Sequence, residues 1–249
     1  ETRVLSGAQD STVRLWDVVS GLAIDIFQGH DDAVLGVAMS SDESTALSAS
    51  ADDTLILWDM AEGVPLATLS GHAADVTTVM YLPDERQAIS GSADSTLILW
   101  DIDPASATFG QAIRTFGGHG KAVNDLALSP DATQVVSASS DETLILWDIA
   151  TGEVIRRYTD QKTGILGVDF SPDGTQLVSS PINGTVVLWD VATGEVIRRY
   201  SGHTGAVFDV EFGPAGAYIV SGGQDDTVRV WDVESGFEIR RYNAPSAVF

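Results

Sequence analysis

Leu55-Ile-Leu-Trp58-Asp59 returns unchanged as Leu97-Ile-Leu-Trp100-Asp101 and Leu144-Ile-Leu-Trp147-Asp148. Looser copies are Val13-Arg-Leu-Trp16-Asp17, Val186-Val-Leu-Trp189-Asp190 and Val228-Arg-Val-Trp231-Asp232. The Trp-Asp pairs stand 42, 42, 47, 42 and 42 residues apart and use all six tryptophans of the chain. A period of roughly 40 to 45 residues ending in this dipeptide marks a chain built from one repeated unit. The question of function therefore shifts from chemistry to surfaces.

The copy from Gly202 to Tyr242 is the easiest to parse. Ala206 to Phe212 is rich in β-branched and aromatic residues and reads as a strand. Gly213-Pro214-Ala215-Gly216 is a turn, because proline fixes φ and glycine permits positive φ. Ala217 to Ser221 is a second strand, and Thr227 to Trp231 a third after the turn Gln224-Asp225-Asp226. Glu238 to Tyr242 alternates as a fourth strand. Four of the six third strands are apolar on both faces, as a strand sandwiched between neighbouring sheets must be. Stacking small sheets face to face buries both faces and leaves only short edges. The pattern predicts an all-β fold of six four-stranded blades in a single domain spanning residues 1–249.

Composition narrows the function classes. The 249 residues carry 36 acids against 13 bases, a formal charge of −23, and 44% hydrophobic residues. Such a field repels phosphate backbones and argues against a nucleic-acid partner. It serves solubility, and a basic protein partner is the alternative reading. With no cysteine there is no disulfide or thiolate chemistry. The sequence has no run of 18 apolar residues and no leader pattern, so a cytoplasmic protein without a membrane partner is expected.

Gly-His, then Ser, Asp and Trp-Asp at set offsets, resembles the WD40-repeat family, including its bacterial arrays, across essentially the whole chain. The turn aspartate lies 22 residues after each histidine, the serine four before that aspartate, and the tryptophan six after it. The resemblance implies four complete side-chain relays: His30, Ser48, Asp52 and Trp58; His72, Ser90, Asp94 and Trp100; His119, Ser137, Asp141 and Trp147; His203, Ser221, Asp225 and Trp231. A neutral histidine would donate to the aspartate and accept from the serine, while the indole N–H finds an acceptor. His, Ser and Asp together also suggest a hydrolase. All four histidines serve equivalent relays, so none remains for a unique catalytic site, and no enzyme, cofactor or metal is expected.

Two units break the pattern. Gln161 takes the histidine place and Asn183 the aspartate place, as an amide pair able to hydrogen-bond without charge. Pro245 takes the histidine place of the unit shared by the chain ends. There the resemblance implies closure of a β-propeller, with the C-terminal strand Ala247-Val248-Phe249 pairing with the N-terminal strands. A seven-bladed or larger propeller is the alternative.

The family fold implies a binding platform whose partners meet the channel rim through residues three and five after the histidine and the one before the turn aspartate. Here the candidates are Phe208, Leu166, Ile182, Leu35, Asn124, Asp75, Gln224 and Gln9. Large apolar groups around Leu166, Ile182 and Phe208 suggest a protein or peptide pocket, or else a side-chain plug. A sensor or regulatory propeller within a larger signalling ATPase or kinase is a second reading, and an enzyme with a channel site a third. Arg156-Arg157, Arg198-Arg199 and Arg240-Arg241 on successive fourth strands protect sheet edges or face an anionic partner.

Overall fold

A computed structural model describes residues 2–248, and every regular element in them is a β-strand. No helix is long and apolar enough to cross a membrane. The strands form six antiparallel meanders. The second sheet joins Val34–Met39, Thr45–Ser50, Thr54–Asp59 and Val64–Ser70. The third joins Val76–Tyr81, Gln87–Ser92, Thr96–Asp101 and Ala112–Gly117. The fourth contains Val123–Leu128, Gln134–Ser139, Leu144–Asp148 and Val154–Tyr158. The fifth contains Ile165–Phe170, Gln176–Pro181, Thr185–Asp190 and Val196–Ser201, and the sixth Val207–Phe212, Tyr218–Gly223, Thr227–Asp232 and Glu238–Asn243.

The first sheet differs. It holds only Arg3–Gly7, Thr12–Asp17 and Ala23–Gln28, the counterparts of second, third and fourth strands elsewhere. The expected fourth member from the C-terminus is not part of this sheet among the described residues. Instead the Val248 N–H donates to the Gly223 carbonyl of the sixth sheet, and Phe249 lies outside the described residues.

The sheets group into two compact units, one ending at Gly117 and the other starting at Gly118. In each, the third strands carry the core. Leu55, Ile56, Leu57 and Trp58 are all buried, as are Val186, Val187, Leu188 and Trp189. Within the first unit the Phe27 and Trp58 rings lie 5.7 Å apart across the junction of two sheets. Within the second, Tyr158 meets Trp189 edge-on at 5.6 Å and Tyr200 meets Trp231 at 5.9 Å. Burying one such indole removes roughly 200 Å² from water, up to about 5 kcal/mol before entropy is subtracted.

This packing explains the glycine before each histidine. A Cβ at Gly29, Gly71, Gly118 or Gly202 would stand only 2.8–3.0 Å from the tip of Trp58, Trp100, Trp147 or Trp231. The glycine lets the chain pass over the indole edge.

The fourth strands are bulged at a fixed place. In every fourth strand one aliphatic residue is skipped by the ladder opposite the tryptophan: Ile24, Leu66, Ile113, Ile155, Ile197 and Ile239. All six are exposed. A bulge twists the edge strand and disrupts its row of free backbone groups, which blunts edge-to-edge pairing.

Candidate functional site

Histidine, serine, aspartate and tryptophan side chains stand within hydrogen-bond reach of one another in four of the units. His30 Nδ1 lies 2.8 Å from Asp52 and its Nε2 2.6 Å from Ser48 Oγ, which accepts the Trp58 indole N–H at 2.8 Å. His72, Ser90, Asp94 and Trp100 repeat this at 3.0, 2.8 and 2.8 Å. His119, Ser137, Asp141 and Trp147 give 2.9, 2.7 and 2.8 Å, and His203, Ser221, Asp225 and Trp231 give 2.8, 2.8 and 2.9 Å.

Each aspartate does more than hold its histidine. It accepts the backbone N–H after the histidine, from Asp31, Ala73, Gly120 or Thr204. It also accepts the hydroxyl of the threonine two residues on: Thr54, Thr96, Thr143 or Thr227. That threonine recurs in all six units and was legible in the sequence as a fifth relay member. Burial pushes the Asp94 and Asp141 carboxyls up, but the threonine, backbone and histidine donors outweigh it and hold both near 2. Asp52 and Asp225 shift down by the same balance. Burial holds His72, His119 and His203 below the ordinary imidazole value, opposed by the aspartate beside each. Burial thus favours the neutral form of His72, His119 and His203, which suits donation to the aspartate.

The geometry also bears on the hydrolase comparison. Ser48, Ser90 and Ser137 are fully buried and Ser221 is 1% exposed, each capped by an indole N–H. A substrate cannot reach these hydroxyls. Among the described residues, no group of three or more His, Cys, Asp or Glu is placed to hold a metal ion.

The degenerate units resolve differently from each other. Gln161 is buried and reaches Ser179 Oγ at 3.4 Å, a long bond, while Ser179 still accepts Trp189 at 2.9 Å. Asn183 is exposed and accepts from the Thr185 N–H and hydroxyl. The two amides thus take different partners, Gln161 across to the second strand and Asn183 within its own turn. In the first sheet Trp16 keeps Ser6 at 2.9 Å, and Asp10 pairs with Arg14 in place of a histidine. The sixth sheet adds Arg229, a buried cation that sequence reasoning passed over. It bonds Asp225 at 3.2 Å and Glu238 at 2.8 Å, over the Trp231 ring.

Four of the eight rim candidates have a shared structural origin. Leu35, Asn124, Leu166 and Phe208, with Thr77, are the residues skipped by the ladder where a first strand pairs with its second strand. A bulge re-aims the extra side chain out of the sheet alternation. In the first unit Leu35 is 47% exposed, and Gln9 and Asp75 are exposed. In the second, Ile182 is 46% exposed and Gln224 exposed, while Leu166 and Phe208 are half-buried. Ile182 stands within 3.2 Å of where a Cβ on Gly164 would sit. Asn124 is engaged, donating to the Ile165 carbonyl at 2.6 Å and to Ser140 at 3.0 Å. Gln224 accepts the Ala206 N–H at 3.4 Å.

The arginine stripe is largely a set of staples. Arg156 donates to the Ala192 and Thr193 carbonyls of the next sheet, and Arg198 to those of Glu234 and Ser235. Arg157 and Arg199 bond Gly118 and Asp160. These guanidinium groups are committed within the protein. The loop from Asp103 to Gly110 is anchored too, since Asp101 accepts both the Ser106 and Thr108 hydroxyls.

The family description "WD domain, G-beta repeat" matches residues 1–17, 21–59, 63–101, 110–148, 152–190 and 194–232. Each match ends on the aspartate of a Trp-Asp pair. No curated protein matches the chain in sequence. Repeats of this kind generally act as protein-interaction scaffolds. With six matches covering most of its length, and a blade-type sheet at each, the chain belongs to the WD40-repeat family.

Proposed function

We propose that this chain is a non-enzymatic scaffold that binds a protein or peptide through the bulged ends of its first strands. The observation that supports this reading is the fate of one position. A residue lifted out of the ladder in every first strand carries Leu35, Thr77, Asn124, Leu166 and Phe208, so it varies in chemistry while its backbone is constant. Varied side chains on a fixed frame suit recognition. In the second unit Phe208, Leu166 and Ile182 supply apolar anchors, with Asn124 and Gln224 as polar neighbours. In the first unit Leu35 stands with Asp75 and Gln9, a surface favouring a partner with basic groups beside an aliphatic side chain.

The test uses peptides selected on the immobilised chain from a random displayed library, with affinities measured by titration calorimetry. Phe208→Asp and Leu166→Asp should each weaken a peptide held by the second unit by about tenfold or more, the 1.4 kcal/mol expected of one good anchor. Ile155→Ser, on a fourth strand, should leave affinity unchanged. Selected peptides that bind all variants equally, with unfolding midpoints retained, would overturn the placement.

A further inference from the structure

The sheets of the second unit are separate ladders, yet two carboxylates join their first strands. Asp125 of the fourth sheet accepts the Val168 N–H of the fifth at 2.9 Å. Asp169 of the fifth accepts the Phe212 N–H of the sixth at 2.8 Å, and also its own neighbour Phe170 N–H at 2.8 Å. Asp209 stands beside them: a Cβ on Gly167 would lie 3.0 Å from its carboxylate and 3.1 Å from its Cα. Glu211 follows on the same strand. In the first unit the equivalent positions hold Gly36 and Ala38 on one first strand and Thr78 and Met80 on the next, none of them charged.

The charges acting on this cluster share one sign. Asp125 feels Asp209 and Asp169, and Asp169 feels Glu211 and Asp209. Burial first, then this like-charge crowding, pushes Asp125 up to about 7 and Asp169 up to about 6, against the backbone N–H groups that favour the anions. Glu211 rises for the same two reasons.

We propose that Asp125 and Asp169 form a proton-controlled clamp between the fourth, fifth and sixth sheets, in which a neutral carboxyl bridges to the next first strand and paired anions push those strands apart. The clamp is independent of what the bulged residues bind. A group whose folded pKa lies above its unfolded value takes up protons on folding, so its stabilising effect is full in acid. That effect is lost as pH rises from about 4 through the folded values near 6 and 7. The second unit should tighten in mild acid and loosen in mild base.

Asparagine keeps an accepting oxygen and cannot ionise, so it mimics the protonated form. Thermal unfolding midpoints are measured for the wild type and for Asp125→Asn/Asp169→Asn from roughly pH 5 to 8.5. The wild-type midpoint should fall by several degrees across this range, and the double variant should lose most of that fall. An equally steep fall in both overturns the clamp. Carboxyl ¹³C shifts of aspartate-labelled wild-type protein give a reading that needs no variant. Two aspartates should titrate between about 5.5 and 7.5, and a spectrum in which every aspartate titrates below about 5 refutes the proposal.

Discussion

Ser90→Ala and Ser179→Ala delete the same hydroxyl in a complete relay and in the amide-substituted one, and they should differ in cost. Ser90 Oγ accepts the Trp100 N–H at 2.8 Å and bonds His72 Nε2 at 2.8 Å, with Trp100 fully buried and His72 8% exposed. Its removal strands two buried polar groups, each worth about 1–3 kcal/mol, or roughly 2–6 kcal/mol together. Ser179 Oγ accepts Trp189 at 2.9 Å, but its bond from Gln161 is stretched to 3.4 Å. Only the indole loses a good acceptor there, a cost of about 1–3 kcal/mol. The expected difference is that of one stranded group, about 1–3 kcal/mol, a sizeable part of a typical total stability of about 5–15 kcal/mol. Urea unfolding followed by indole fluorescence and by circular dichroism measures it, provided the two probes coincide and slopes stay constant. Rebuilding the relay with Gln161→His/Asn183→Asp should raise the cost of Ser179→Ala towards that of Ser90→Ala, a coupling read by a double-mutant cycle. If Ser179→Ala costs as much as Ser90→Ala without that repair, the histidine bond adds nothing and the relay argument fails.

Arg198→Ala removes two donors from carbonyls of the next sheet and should cost about 1 kcal/mol, discounted for partial exposure, whereas Arg240→Ala, whose one bond is to Tyr242 in its own strand, should leave chemical unfolding almost unchanged. Ala132 sits at φ 53° in a turn where the fifth and sixth sheets have Gly174 and Gly216, so Ala132→Gly should stabilise by about 1 kcal/mol in the same assay; a loss would show that the strain estimate is wrong. Asp94 and Asp141 have folded values near 2, below their unfolded ones, so their contribution is present above about pH 4 and is lost as pH falls towards 2. His72 and His119, also depressed, act in the same direction below about pH 6.5. Opposed by Asp125 and Asp169, these groups should give a stability maximum in mild acid, and Asp94→Asn should flatten its acid side in a pH series of unfolding midpoints.

The fold and the relays were legible because each depends on a residue type at a fixed spacing. Trp58, Ser48 and His30 meet wherever a strand meander of this period closes, since strand pairing brings Ser48 opposite Ile56 and leaves only one place for the indole N–H. Strand ends moved by a residue or so, as with Val207–Phe212 against the expected start at Ala206, because terminal pairing depends on the neighbouring turn. The bulges could not be read, since an extra residue in a short apolar strand leaves no compositional mark. Yet they decide which way Leu35, Leu166 and Phe208 face. Arg156 and Arg198 look alike whether free or stapled, and only the position of the next sheet's turn distinguishes the cases. The three-stranded first sheet and the separate partners of Gln161 and Asn183 likewise depended on the contacts available.

What the sequence by itself determined was the repeat: six Trp-Asp pairs, their period, and the His-Ser-Asp offsets that satisfy a buried indole. These are local to one unit, so covalent spacing and strand geometry suffice to specify them. What only the tertiary structure decided lies between units. The carboxylates of Asp125 and Asp169 are ordinary surface acids in the sequence, and become half-buried and exposed to like charges when neighbouring first strands are laid side by side. Desolvation and like-charge coupling depend on distance in space, and no spacing along the chain encodes that.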